Sequence, residues 1–350
     1  GRSINLCMIQ HPDAPGVLLA IDGVDRWIFQ AFYSPSAGQR AEDFTPERCM
    51  ALLRTAVGVP DLLVEVIRAA SWSPATGVAA RFREGRVFLV GDAAHQMTPA
   101  GGFGMNAGIQ DVHNLAWKLA AVLEGHAEPA LLETYERERE PVDRWITDQT
   151  LRNLASLRRV GSGATEKDTG MHEGRQEFFH EQGLIFGAAY QSAAVLPDGT
   201  VPPEVANPVT DYAPTAHPGC RAPHVWLERG GQRISTLDLF GTGLVLLAGR
   251  TGTAWCQAVA EVAHARRVPL SAFMVGPEGD LVDPGGSWVT TYGVEQEGAV
   301  LVRPDGHVAW RCRGNVTHPA QMLQGVLASV LGETVASFEP SPPESDRDLQ

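Results

Sequence analysis

The chain has 350 residues, 44% of them hydrophobic and 20% charged, with a net charge of −13 at pH 7. That length accommodates two domains with a sizeable core. The acidic balance lacks the basic footprint that binding to nucleic acid requires, and no run approaches the roughly eighteen apolar residues of a membrane span.

Cys7, Cys49, Cys220, Cys256 and Cys312 are scattered, without a CxxC pair or a His at zinc-ligand spacing. They read as reduced thiols of a cytoplasmic protein that holds no metal. Gly1-Arg2-Ser3-Ile4 lacks the basic and apolar regions of a signal peptide, and the absence of an initiator Met is read as a start within a longer protein or after a processed tag.

Three apolar runs, INLCMI, GVLLAI and RWIFQAFY, are separated by the turn-forming HPDAPG and DGVD, which predicts an antiparallel meander over residues 4–33. Thr45-Pro46-Glu47 opens a helix with Thr45 as N-cap and Pro46 at its first position, continued by Met50, Leu52, Leu53 and Val57. A second apolar stretch covers Asp61 to Ala70. Arg86 to Val90 reads as a buried strand delivering Asp92 to the carboxyl end of a sheet, where ligands of open α/β folds sit.

The loop from Gln96 to Gly104 carries Pro99 and glycines at 101, 102 and 104. Ile109, Val112, Leu115, Ala116, Leu119, Ala120 and Leu123 then predict a helix running to about Glu124, capped by Gly125. Glycines let backbone approach a ligand, and the first helical turn presents free NH groups and a positive dipole end to an anion. Asp92, an acceptor when ionised, suits a polyol hydroxyl. The alternative is a tight turn whose Asp caps a helix. Asp111 and Asn114 either close the turn onto the loop or serve as solvated or capping groups. His95, directly after the strand, reads as structural, bonded to a backbone carbonyl.

Residues 128–160 predict a further helical stretch that Pro141 kinks or breaks. GSGATEKDTG, residues 161–170, is a connector, and five prolines between 197 and 214 mark an extended linker, with one short helix within 171–210. Beyond it, strands at 223–227, 243–248, 270–275 and 299–302 alternate with helices at about 254–266 and 318–331, which predicts a small α/β domain. The tail SPPESDRDLQ reads as disordered.

GDAAHQMTPAGGFGMNAGIQDVHNLAWKLA resembles the second FAD fingerprint of the single-component flavoprotein aromatic hydroxylases, the aklavinone and tetracenomycin oxygenases above all. STLDLFGTGLVLLAG and GAVLVRPDGHVAWR resemble the thioredoxin-like domain that closes the same branch. By that resemblance the fold is α/β with α+β elements, part of an FAD-binding Rossmann-like domain with an antiparallel substrate-binding sheet, followed by a thioredoxin-like α/β domain. The implied division is a substrate-binding sheet region at 1–80, the end of the FAD-binding domain at 81–160, a linker at 161–212, the thioredoxin-like domain at 213–337 and a tail at 338–350.

The resemblance implies that Asp92 bonds the ribityl chain of FAD and that Pro99 lines the substrate side of the flavin. It also implies that Gly102, Gly104, Met105 and Asn106 present backbone NH groups to the pyrimidine edge. Trp27, Phe29, Phe32 and Tyr33 become candidate contacts for an aromatic substrate, with core packing as the alternative, and Trp72 a candidate cavity wall. The implied reaction is aromatic hydroxylation of a polycyclic polyketide through a C4a-hydroperoxyflavin, using NADPH or NADH and O2, with no catalytic side chain in the fingerprint. Baeyer-Villiger insertion by the same chemistry and a non-catalytic fragment with an assembly or homodimer role remain alternatives. A hydrolase or metal enzyme on Asp92 and His95 lacks GxSxG and a third ligand. The first fingerprint, GxGxxG with a downstream acid, does not occur here, so the chain is expected to be the C-terminal two thirds of such a protein. With only Cys256 in TGTAWCQA, redox exchange by the second domain is not expected.

Overall fold

The computed structural model describes residues 6–161, 177–178 and 180–333. They fall into two compact units, Gly1–Ala75, Thr98–Gly101 and Gln149–Phe178 in the first, and Thr76–Met97, Gly102–Asp148 and Phe179–Gln350 in the second.

In the first unit β1 (Leu6–Ile9), β2 (Gly16–Ala20) and β3 (Trp27–Ala31) form the expected antiparallel meander in that order. The β2–β3 turn is fixed by Asp22 Oδ1, which accepts from the NH groups of Val24, Asp25 and Arg26. Period-2 alternation puts Trp27 and Phe29 on one face. Helix α1 (Pro46–Val57) starts where Thr45 accepts from the Arg48 NH and stops at Gly58. The apolar run from Leu62 to Ala70 forms neither helix nor strand.

The second unit begins with β4 (Gly77–Val78), β5 (Arg83–Glu84), β6 (Val87–Phe88) and β7 (His95–Gln96), paired as β4 with β7 and β5 with β6. Here the expectation of a buried strand over Arg86–Val90 is corrected. Gly85, at φ 57, turns the chain so that Val87 and Phe88 pair back onto Arg83 and Glu84. No other strand among the described residues lies alongside, and Val87 is 65% exposed.

Helices α2 (Phe103–Leu123) and α3 (Thr134–Gly161) follow; Gly125, at φ 73, succeeds the last turn of α2 as predicted. Helix α3 runs unbroken through Pro141, so of the kink or break expected there the break does not occur. Pro141 and Arg137, whose carbonyl loses its NH partner, both lie on the exposed side, where water serves, while Arg139 and Asp143 fasten the buried side across the proline. The predicted connector lies outside the described residues except for Gly161, as does the tail.

Helix α4 (Gln182–Phe186) is the expected short helix. The proline-rich segment after it carries no regular structure, yet it is fastened to the C-terminal part: Leu196 NH donates to Ala309 O and Tyr190 NH to Gly219 O. It is therefore a packed strap between residues 187 and 217.

The remaining elements are β8 (Trp226–Arg229), β9 (Gln232–Ser235), β10 (Leu244–Ala248), α5 (Thr253–Arg266), β11 (Leu270–Met274), α6 (Trp288–Tyr292), β12 (Ala299–Val302), β13 (Val308–Cys312) and α7 (Pro319–Val330). The strand expected at 223–227 begins only at Trp226, because the Pro223 carbonyl is taken by the Thr236 and Tyr292 hydroxyls. Strands β9 and β13 and helix α6 were not foreseen.

The sheet order is β11-β10-β12-β13, with β10 and β11 parallel and the other pairs antiparallel, which is thioredoxin-like topology. Leu244, Leu246 and Ala248 of β10 pack with Trp255, Val259, Val262, Leu323 and Val326 of α5 and α7, while Val245 and Leu247 pack with Val225, Leu227, Trp288 and Tyr292. Burial on both faces explains the uninterrupted LVLLA. Cys256 is half-buried in the first turn of α5, and burial, with Asp280 adding, raises its thiol above the ordinary value. A low-pKa exchange thiol is the opposite case.

Candidate flavin-binding site

The chain leaves Val90 extended, turns at Gly91 with φ 57 and makes a short 3-10 turn over Gly91–Ala93 before β7. This turn rests on α2. A Cβ built on Gly108 would stand 3.0 Å from Gly91 Cα, so a side chain at Gly108 is tight against the turn, while Gly91 is set by its positive φ. The Gly91 NH donates to Asp111 Oδ2 at 3.0 Å.

Asp111 is the centre of a buried cluster. His95 Nε2 lies 2.7 Å from its Oδ2, and Arg139 Nε donates to its Oδ1 at 2.8 Å. Arg139 Nη2 donates to Asp143 Oδ1 at 2.7 Å and its Nη1 to the Tyr190 hydroxyl at 3.2 Å. All five residues are buried. Burial opposes ionisation of Asp111, but His95 and Arg139 outweigh it and hold the carboxyl below its usual range. Burial likewise disfavours the His95 cation, yet Asp111 and Asp143 raise its pKa. Asp143 is pushed up to about 8, by burial first, with the Asp111 charge adding to it. His95 is thus structural as expected, though its partner is a carboxylate and not a backbone carbonyl. Of the two readings of Asp111, the one that closes the turn holds.

His95, Asp111 and Asp143 offer ligand atoms within 4.8 Å of one another, so a third group does lie near His95, supplied by a helix the sequence does not place there. The Arg139 guanidinium already donates to both carboxylates. A metal cation would have to compete with that fixed charge, and the cluster reads as a buried ion-pair network.

A second buried cluster joins α2 and α3 to the β12–β13 turn. Glu138 accepts from Lys118 Nζ at 2.7 Å, Asn114 Nδ2 at 2.7 Å, Ser192 Oγ at 2.6 Å and, through both oxygens, Arg303 at 2.6 and 2.8 Å. Arg303 also pairs with Asp305, which accepts from Trp117 Nε1 at 3.1 Å. Burial opposes ionisation of Glu138, but Arg303 and Lys118 bring it down to about 2; burial pulls Lys118 to about 8. Asn114 is therefore a buried network residue rather than a solvated or capping one. Tyr190 links the clusters: its hydroxyl accepts from Arg139, and its ring stacks on His307 at 4.1 Å.

These clusters overturn the predicted face of α2. Ile109, Val112 and Leu123 are 59%, 50% and 80% exposed, whereas Phe103, Ala107, Asp111, Asn114, Leu115 and Lys118 are buried. The available sequence signal was the helical spacing of 111, 114 and 118, polar residues repeating where solvent-facing residues were expected.

The start of α2 is open. Gly102 is its N-cap, no side chain caps the first turn, and a Cβ at Gly102 or Gly104 would meet nothing within 4 Å. Met105 is 75% exposed, and exposed Asn106 donates through Nδ2 to Gly102 O at 2.9 Å. Asp92 is exposed, with no side-chain hydrogen bond among the described residues. An exposed carboxylate on a crimped turn beside an uncapped helix start can take a polyol and an anionic ring edge.

The FAD binding domain family matches residues 1–150, and the family described as aromatic-ring hydroxylase, C-terminal, matches residues 215–334. The two matched parts of the chain thus belong to an FAD binding domain family and to an aromatic-ring hydroxylase C-terminal family. It is 42% identical over 349 residues to a tetracenomycin A2 monooxygenase-dioxygenase of Streptomyces glaucescens, covering 95% of this chain and 58% of that one. Aklavinone 12-hydroxylase RdmE of Streptomyces purpurascens is 41% identical over 326 residues, 92% of this chain and 58% of the relative. The crystal structure of aklavinone-11 hydroxylase with FAD and aklavinone matches with a TM-score of 0.81 at 39% identity, over 93% of this chain and 58% of that one. The chain thus spans about three fifths of the length of such curated relatives.

Within this chain, Asp92, Gly102, Gly104, Met105 and Asn106 all fall in the second unit. The substrate candidates Trp27, Phe29, Trp72 and Pro99 all fall in the first. Trp27, Trp72 and Pro99 are exposed, and Phe29 is half-buried, close enough to Gly16 that a Cβ there would stand 2.8 Å from its ring. Phe32 is exposed, and Tyr33 is tied to Phe44 by a ring contact at 5.3 Å and to Ser71 by a 2.5 Å hydrogen bond.

Proposed function

We propose that this chain is the larger part of an FAD-dependent monooxygenase that hydroxylates an aromatic, polycyclic polyketide with NADPH or NADH and O2. The observation that carries the reading is the open start of α2 beside the exposed Asp92 on its Gly91-anchored turn. Bound FAD supplies the activation of dioxygen and transfer of one oxygen atom to the ring.

The chain's own residues do the rest. Asp92 accepts from the ribityl hydroxyls, and the NH groups at Gly104, Met105 and Asn106 offset negative charge on the pyrimidine edge. Pro99, Trp27, Phe29 and Trp72 border the aromatic substrate and exclude water from it. The relatives named for tetracenomycin and aklavinone support the polyketide class. We assign no redox step to residues 213–337, whose lone α5 cysteine has a raised thiol pKa. The acidic chain has no described helix able to cross a membrane, in keeping with work on a dissolved substrate.

Asp92→Ala in the FAD-loaded protein tests the assignment. Flavin retained through gel filtration, read by visible absorbance, is expected to fall; retention equal to the parent protein would overturn the ribityl role.

A further inference from the structure

We propose that Asp111 is the positioning residue of the flavin turn, holding Gly91–Ala93 so that Asp92 presents its carboxylate in the right direction. The proposal rests on the flavin reading of Asp92. It adds a role for a residue that is itself buried and remote from solvent.

The Gly91–Ala93 turn has little to hold it. Its internal bonds are Ala93 NH to Val90 O at 3.3 Å and Ala94 NH to Gly91 O at 2.8 Å. Asp111 Oδ2 supplies the side-chain bond to the turn's backbone, at 3.0 Å, beside the Gly91–Gly108 contact. A bond between a carboxylate and a backbone NH is charge-assisted, stronger than a neutral one, and directional. It fixes the orientation of the peptide preceding Gly91 and so the path of the chain into Asp92.

Asp111 is itself held from two further directions, by His95 on β7 and by Arg139 on α3. Three donors from three stretches of chain therefore converge on one carboxylate. Filling a loose turn would need none of this; a fixed acceptor needs all of it. Arg139 in turn reaches Tyr190, so the proline-rich strap contributes to the same anchorage.

The experiment uses the FAD-loaded protein with Asp111→Asn, Asp92→Ala and the double variant. Asn keeps the size but turns an NH2 group toward one of three donors. We measure the FAD dissociation constant by flavin fluorescence and amide exchange by mass spectrometry. Asp111→Asn is expected to weaken FAD binding about tenfold, the size of one charge-assisted hydrogen bond. It should speed exchange in the peptide 88–96, with 253–266 as protected as before. In the Asp92→Ala background the same change is expected to cost under about twofold, because Asp111 acts through Asp92. A full additive loss there, or unchanged exchange at 88–96, overturns the proposal, as does deprotection of 253–266, which marks general unfolding. His95→Gln, which removes one of Asp111's supports, should act in the same direction and more weakly. If the parent protein took up no FAD, the functional reading would fall; altered exchange at 88–96 would still decide whether Asp111 holds the turn.

Discussion

Gly108 and Gly91 meet backbone to backbone, with Gly91 Cα 3.0 Å from where a Gly108 Cβ would be. Gly108→Ala therefore has to shift the turn against α2 by a few tenths of an ångström, since neither partner has a flexible side chain to move. The expected cost is about 1–3 kcal/mol of stability, with FAD affinity lowered more than at a neutral α2 site such as His113→Ala. Urea unfolding and flavin titration on the same preparations check this.

Glu138 ties α2, α3 and the β12–β13 turn together, so its titration contributes to acid stability. Its folded pKa is about 2 against a reference of 4.5. The unfolded state therefore binds the proton first, and stability present above pH 4.5 is lost as pH falls toward 2. Glu138→Gln should flatten that acid limb while costing about 3–5 kcal/mol at neutral pH, because Arg303 and Lys118 lose a buried partner. Urea midpoints from pH 2 to 7 give both numbers.

Asp143 works in the opposite sense. Its carboxyl is raised from 3.8 to about 8, so the folded state holds the proton more tightly, and stability declines as pH climbs through that window. Asp143→Asn mimics the protonated acid and keeps an oxygen for Arg139 Nη2. The expected outcome is a flatter stability profile between pH 4 and 8 and a higher urea midpoint than the parent at pH 8.

Cys256 should be chemically quiet. Burial raises its thiol, and no second cysteine lies near it in sequence. Alkylation by iodoacetamide at pH 7 is expected to be slower than for a free thiol, and Cys256→Ser should leave NADPH consumption unchanged.

Much of the fold was legible because it rests on local rules. The apolar runs at 4–33 form a meander since turn-forming segments separate them, and Thr45-Pro46 starts α1 since an N-cap and a fixed φ suffice. LVLLA and AVLV were legible as strands and lie in the middle of the C-terminal sheet. The failures came where partners are distant. Arg86–Val90 carries the composition of a buried strand, but Gly85 folds it onto Arg83 and Glu84, and composition does not say what lies alongside.

The flavin fingerprint was legible as chemistry because it is contiguous: Asp92, the glycines and the start of α2 lie within fifteen residues, from 92 to 106. The anchorage beneath it was not. Asp111 was on sequence grounds either a turn-closing or a capping or solvated group, and Arg139, Asp143, Glu138 and Arg303 gave no signal beyond their charge. A charge is stable in a protein interior only when an opposite charge meets it at hydrogen-bond distance, and here those partners come from helices and a strand turn up to 165 residues apart. Sequence thus placed many of the elements, carried the family resemblance and named candidate residues to face a cofactor. Only the tertiary structure decided that the face of α2 turned inward carries Asp111, Asn114 and Lys118 beside Phe103, Ala107 and Leu115, because burial depends on which side chains meet and not only on which are apolar.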